Sequence, residues 1–78
     1  MKIYKYTVIF EPAEEGGYLA HIPALNGLTT QGETLEEAQS MAKDAIKCFI
    51  ETCIIKGLPA PEDTIEGQPV AQEILVAI

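Results

Sequence analysis

Gln31-Gly32-Glu33-Thr34-Leu35-Glu36-Glu37-Ala38 is the stretch that decides the fold. Thr34 with Glu37 three residues on is a capping box: the Thr34 hydroxyl can accept from the Glu37 amide, and the Glu37 carboxylate can reach back to the Thr34 amide. Glu36 and Glu37 also suit the positive end of a helix dipole. Downstream, Leu35, Ala38, Ala42, Ala45, Phe49 and Cys53 recur at helical spacing, flanked by Met41, Ile46 and Ile50. Glu36, Gln39, Ser40, Lys43, Lys47 and Glu51 fill the opposite side. Gly57 is a C-terminal cap and Pro59 forbids continuation. The spacing therefore predicts a helix of about 22 residues, about 33 Å long, with small alanines that let it sit close to a sheet.

Working upstream, Lys2–Phe10 alternates: Tyr4, Tyr6, Val8 and Phe10 share one face, Lys5, Thr7 and Ile9 the other. Pro12 ends this strand, and Gly16-Gly17 closes an acidic turn with Glu14 and Glu15. Tyr18–Ile22 is a second strand, stopped by Pro23. Asn26-Gly27 is a tight-turn signal leading to a third strand, Leu28–Gln31. Downstream of the helix, Leu58–Ala71 is proline-rich and reads as a surface loop, and Glu73–Ile78 as a last strand. The expected fold is α+β, with element order βββαβ. A three-stranded antiparallel meander is joined by a C-terminal strand placed beside the first and parallel to it by a right-handed crossover. The strand order is 3-2-1-4, with the helix on one face, in a single domain spanning residues 1–78.

The 78 residues carry twelve acids against five lysines and no arginine, for a net charge of −7. Phosphate backbones are bound through Lys and Arg, and arginine is the usual reader of guanine, so direct nucleic-acid binding is not expected. A basic protein partner is. Cys48 and Cys53, five residues apart on a helix, point about 140° apart and cannot pair. They read as reduced thiols of a cytoplasmic protein. No leader and no apolar run long enough to span a membrane is visible.

Nothing in the chain assembles catalytic or metal chemistry. His21 is the only histidine, with no acid near it in sequence; Ser40, the only serine, falls on the solvent side of the helix. The cysteine and histidine spacing fits no zinc site, and the glycines match no phosphate loop. Three antiparallel strands, a helix and a parallel strand also begin a ribonuclease H-like fold, whose enzymes hold metal ions on strand-borne carboxylates. Here the middle of the first strand is Tyr6-Thr7-Val8, and the last strand is aliphatic. No enzyme activity and no cofactor are expected. The residues expected to face a partner are Glu14, Glu15, His21, Gln31 and Glu33. Self-association is expected through the last strand, at Ile74, Val76 and Ile78, because a chain this small has no disulfide or metal to brace it.

The ordered set Glu11-Pro12, Glu15-Gly16-Gly17-Tyr18, Ile22-Pro23, Gln31 to Ala38 and Leu58-Pro59-Ala60-Pro61 resembles the HicB family of antitoxins over about residues 4–64. The resemblance implies a partial ribonuclease H-like fold without catalytic carboxylates. It also implies a partner, HicA, a small basic toxin that cleaves messenger RNA and whose active surface the antitoxin masks. Typical members continue into a helix-turn-helix or ribbon-helix-helix segment; with this chain ending at Ile78, operator binding is not expected of it. Two other readings are a stand-alone oligomeric module with an unrelated ligand and a degenerate nuclease.

Overall fold

The computed structural model describes residues 3–61 and 71–77. Strands β1 (Ile3–Pro12), β2 (Tyr18–Ile22) and β3 (Leu28–Gly32) are followed by helix α1 (Leu35–Lys56) and strand β4 (Ala71–Ala77). The sheet has the order β3-β2-β1-β4. Between β2 and β3, Pro23–Leu25 forms one 3-10 turn, and Asn26 and Gly27 both take left-handed backbone, with φ of 60° and 70°. The expected loop over Leu58–Ala71 falls mostly outside the described residues, as does Ile78.

The helix bounds are those read from the capping signals. The Glu37 amide donates to Thr34 Oγ1 at 3.0 Å. The reciprocal bond differs by one residue: Glu37 Oε1 accepts from the Glu33 amide at 3.3 Å, not from Thr34. At the other end Gly57 is left-handed, and the Leu58 amide donates to the Cys53 carbonyl at 2.9 Å. These bonds satisfy carbonyls that the last helical turn would leave open.

The aromatic face of the sheet is the one the helix covers. Tyr6, Val8, Phe10, Ala20, Ile22 and Val76 form one cluster with Leu25 and with Ala38, Ala42, Ile46 and Ile50 of the helix. Each fully buried aliphatic side chain there contributes about 1.5–3 kcal/mol relative to exposure. The buried line of α1 runs through Ala38, Ala42, Ile46, Ile50 and Cys53. Compared with the stripe expected from spacing, the helix is rotated: Leu35 and Met41 are exposed, and Ala45 and Phe49 only half-buried.

Glycine permits the close approach that sets this geometry. A Cβ on Gly32 would lie 2.4 Å from the Ala38 backbone nitrogen, and one on Gly17 would lie 2.5 Å from the Gly32 carbonyl oxygen. The β1–β2 turn, the end of β3 and the first turn of α1 thus pack backbone to backbone.

The direction of β4 corrects the expectation. It lies beside β1, but antiparallel, with Ile3 opposite Ala77 and Ile9 opposite Ala71. The right-handed rule applies only to parallel crossovers, and the chain does not cross directly. Helix α1 starts at the Pro12 end of the sheet and finishes near Tyr4, where Cys53, Ile54 and Leu58 gather. The chain then turns back along β1, since the Tyr6 hydroxyl donates to the Pro61 carbonyl at 2.6 Å. In the direction of β4 the fold departs from the ribonuclease H-like arrangement, whose fourth strand is parallel.

Two substitutions test this account. Thr34→Ala should destabilise the protein by about 0.5–2 kcal/mol through the lost cap, read by equilibrium unfolding in denaturant; an unchanged midpoint would remove Thr34 from the cap. Gly32→Ala should cost about 1–3 kcal/mol or more by overpacking, although alanine is the better helix and strand former. A neutral or stabilising result would mean that β3 and α1 are not in backbone contact.

Candidate protein-interaction surface

Two parts of the surface carry the polar residues singled out from the sequence. One is a cleft of about 760 Å³ at the Pro12 end of the sheet, lined by Ala13–Tyr18, Gln31–Glu33 and Glu37. Its shape follows from the glycines. The turn after β1 closes with Ala13 N–H donating to the Gly17 carbonyl at 3.0 Å, and left-handed Gly16 and Gly17 bring it against Gly32. Glu14, Glu15, Glu33 and Glu37 rim the cleft, and among the described residues no lysine lines it. Four carboxylates round one opening make a field suited to cations or basic side chains.

The second part is the sheet face away from the helix. Strand alternation and register place Ile9, Glu11, Leu19, His21, Thr29, Gln31 and Leu75 there. His21 Nδ1 lies 3.0 Å from Thr29 Oγ1, whose hydroxyl donates to the Gly27 carbonyl at 3.1 Å. The other ring nitrogen, Nε2, lies 3.6 Å from Glu11 Oε2. Protonation of the ring would make that contact an ion pair. Among the described residues, no three His, Cys, Asp or Glu side chains are grouped to hold a metal ion, and no helix is long and apolar enough to cross a membrane.

Of the five residues expected to face a partner, Glu14, Glu15, Gln31 and Glu33 are brought together at the cleft. His21 stands apart on the open face, one cross-strand pair from Gln31. Spacing alone missed Glu37 and Glu11. Glu37 both caps the helix and lines the cleft, so the capping assignment hid its second position. Glu11 meets His21 only through the β1–β2 register.

The self-association residues need a correction. Val76 is 1% exposed, in the core beneath the helix layer, and Ile74 packs against that core. The aliphatic residue of β4 that faces outward is Leu75, 56% exposed. The reason is the β4 register: Val76 is opposite Tyr4 and Ile74 opposite Tyr6, on the aromatic, covered side. Ile78 lies outside the described residues.

Known proteins share this sequence over nearly its whole length. A UPF0150 protein, ssr1765, of Synechocystis is 39% identical over 70 residues, covering 90% of this chain and 89% of that protein. Another, Ta0767 of Thermoplasma acidophilum, is 42% identical over 62 residues, 80% of this chain and 90% of its own. Antitoxin HicB 1 of Photorhabdus laumondii is 48% identical over 46 residues, which is 59% of this chain and 30% of that longer protein. The family described as HicB-like antitoxin of bacterial toxin–antitoxin systems matches residues 6–74. By that match, and by the helix-lead motif and glycine contacts it contains, the chain belongs to the HicB-like antitoxin family.

Proposed function

We propose that the chain is the toxin-binding part of a toxin–antitoxin pair and neutralises a small, basic, messenger-RNA-cleaving toxin of the HicA kind by masking its active surface. It acts by binding, not by catalysis, in the cytoplasm where its partner's substrate is found. The observation that carries this reading is the family match over residues 6–74. The electrostatics supports it. A surface that grips RNA presents lysines and arginines spaced for phosphates. Glu14, Glu15 and Glu33, rimming one cleft on a chain of net charge −7, offer carboxylates to the same groups and would steer the encounter.

A second reading has one observation in its favour. The relatives that match over about nine-tenths of their own length carry only the name UPF0150, whereas the HicB-named protein matches over 30% of its length. That pattern fits a stand-alone module with an unrelated ligand.

The test is to co-produce the chain with the small basic protein encoded in the adjacent reading frame and to follow RNA cleavage by that protein. The chain should abolish cleavage at equal molar amounts. Glu14→Lys, Glu15→Lys and Glu33→Lys combined should weaken inhibition tenfold or more, about 1.4 kcal/mol per tenfold, with the circular dichroism spectrum unchanged. Undiminished inhibition would move the contact off the cleft. No basic neighbour, or cleavage unaffected by the chain, would favour the stand-alone reading.

A further inference from the structure

The β2–β3 turn carries the only asparagine of the chain, Asn26, followed directly by Gly27. The fold uses this pair for its backbone: both residues are left-handed, a conformation that asparagine tolerates and glycine adopts without steric cost. The same pair carries chemistry that the turn does not need. An asparagine side-chain amide can close a five-membered ring with the next backbone nitrogen, and a glycine at that position puts no Cβ in the way. Four observations show how open the folded turn is to ring closure. Both residues are exposed. A Cβ built on Gly27 would meet nothing within 4 Å. The Gly27 amide donates to the Pro23 carbonyl at 3.4 Å, longer than the usual range of about 2.7–3.2 Å, so its proton is weakly held. Among the described residues, no hydrogen bond holds the Asn26 side chain. The other amide–glycine pair, Gln31-Gly32, differs on both counts: Gly32 is pressed against the Ala38 backbone, and the longer side chain would need a six-membered ring.

We infer that Asn26-Gly27 is a self-modification site, at which the folded chain loses ammonia and gains a carboxylate with water as the only co-reactant. The Gly27 nitrogen gives up its proton to base and attacks Asn26 Cγ. The N–Cγ bond forms, the Cγ–Nδ2 bond breaks, and ammonia leaves a cyclic imide. Asn26 ψ, 31° in the turn, has to swing for this, and nothing packed against Gly27 opposes the swing. Water then opens the ring. Opening at Cγ restores the normal backbone with aspartate at position 26. Opening at the backbone carbonyl carbon leaves the chain running through the side chain, one carbon longer, as isoaspartate. That extra carbon falls between two anchored residues: Leu25 is 1% exposed, and Leu28, opposite Ile22, packs against the core. The isoaspartyl chain therefore loses the fit of one of them, and its stability falls. The turn lines no part of the acidic cleft, so the inference stands apart from the toxin reading.

The experiment is to age the native chain in buffer at neutral and mildly alkaline pH. Isoelectric focusing follows the more acidic form, and peptide mapping by mass spectrometry places the change and separates aspartyl from isoaspartyl products. The native chain should convert at residue 26, faster at the higher pH because the attacking nitrogen must lose its proton. The same chain held unfolded in urea supplies the rate without the fold, and the folded rate should lie within about tenfold of it. Asn26→Gln, checked for folding by circular dichroism, should produce no acidic form on that timescale. The isolated isoaspartyl form should unfold at a lower denaturant concentration than Asn26→Asp. Peptide mapping of the native chain stands even if Asn26→Gln does not fold. A native chain that stays unmodified while the urea-held chain converts, a change mapped to another residue, or an isoaspartyl form as stable as Asn26→Asp would each overturn the inference.

Discussion

The backbone contact between Gly32 and Ala38 is the constraint on which the rest of the structure depends. A side chain at residue 32 would collide with the first turn of α1, so glycine there sets how closely the helix can lie on β3. With its N-terminus pinned at that point, and Thr34 and Glu37 fixing where it starts, α1 packs chiefly over β3 and β2. The half of the aromatic face on β1 is then reached by the segment after the helix, which the Tyr6–Pro61 hydrogen bond holds in place. β4 pairs with β1 antiparallel, from Ala71 opposite Ile9 to Ala77 opposite Ile3.

The same contact divides the outer surface. Where the β1–β2 turn meets the β3–α1 junction, glycine backbones crowd and the carboxylates of Glu14, Glu15, Glu33 and Glu37 are left around an open cleft. Along the flank of α1 beyond β3, the helix is rotated so that Met41 is exposed and Ala45 and Phe49 are only half-buried.

Much of this was legible in the sequence, for reasons that can be named. The helix bounds rest on short-range chemistry, Thr34 with Glu37 at one end and Gly57 at the other, and such signals need no tertiary context. Alternation fixed β1 and β2, and the spatial order of the strands followed from connectivity. The direction of β4 was not legible, because it depends on where a long connection leads, and residue composition in Leu58–Ala71 does not encode that. The rotation of α1 was not legible either: with Leu35, Met41, Ala45 and Phe49 as apolar as Ala42, Ile46 and Ile50, the stripe has no unique centre. Nor was it legible which face of β4 the helix covers: the register with β1 puts Val76, expected as a contact residue, opposite Tyr4 and in the core. The cleft was half visible. Glu14, Glu15 and Glu33 sit at turns that sequence can locate, but Gln31 and Glu37 join them only because glycines at 17 and 32 let two turns touch.

The central proposal is that a basic protein partner binds at the acidic cleft of this small sheet-and-helix unit. Amide hydrogen exchange of the chain, free and with a purified toxin of the HicA kind, tests it most directly. The account predicts new protection on partner binding at residues 13–18 and 31–33, and none between Met41 and Thr52. Protection confined to the helix flank, or absent from the cleft while the complex is formed, would contradict it.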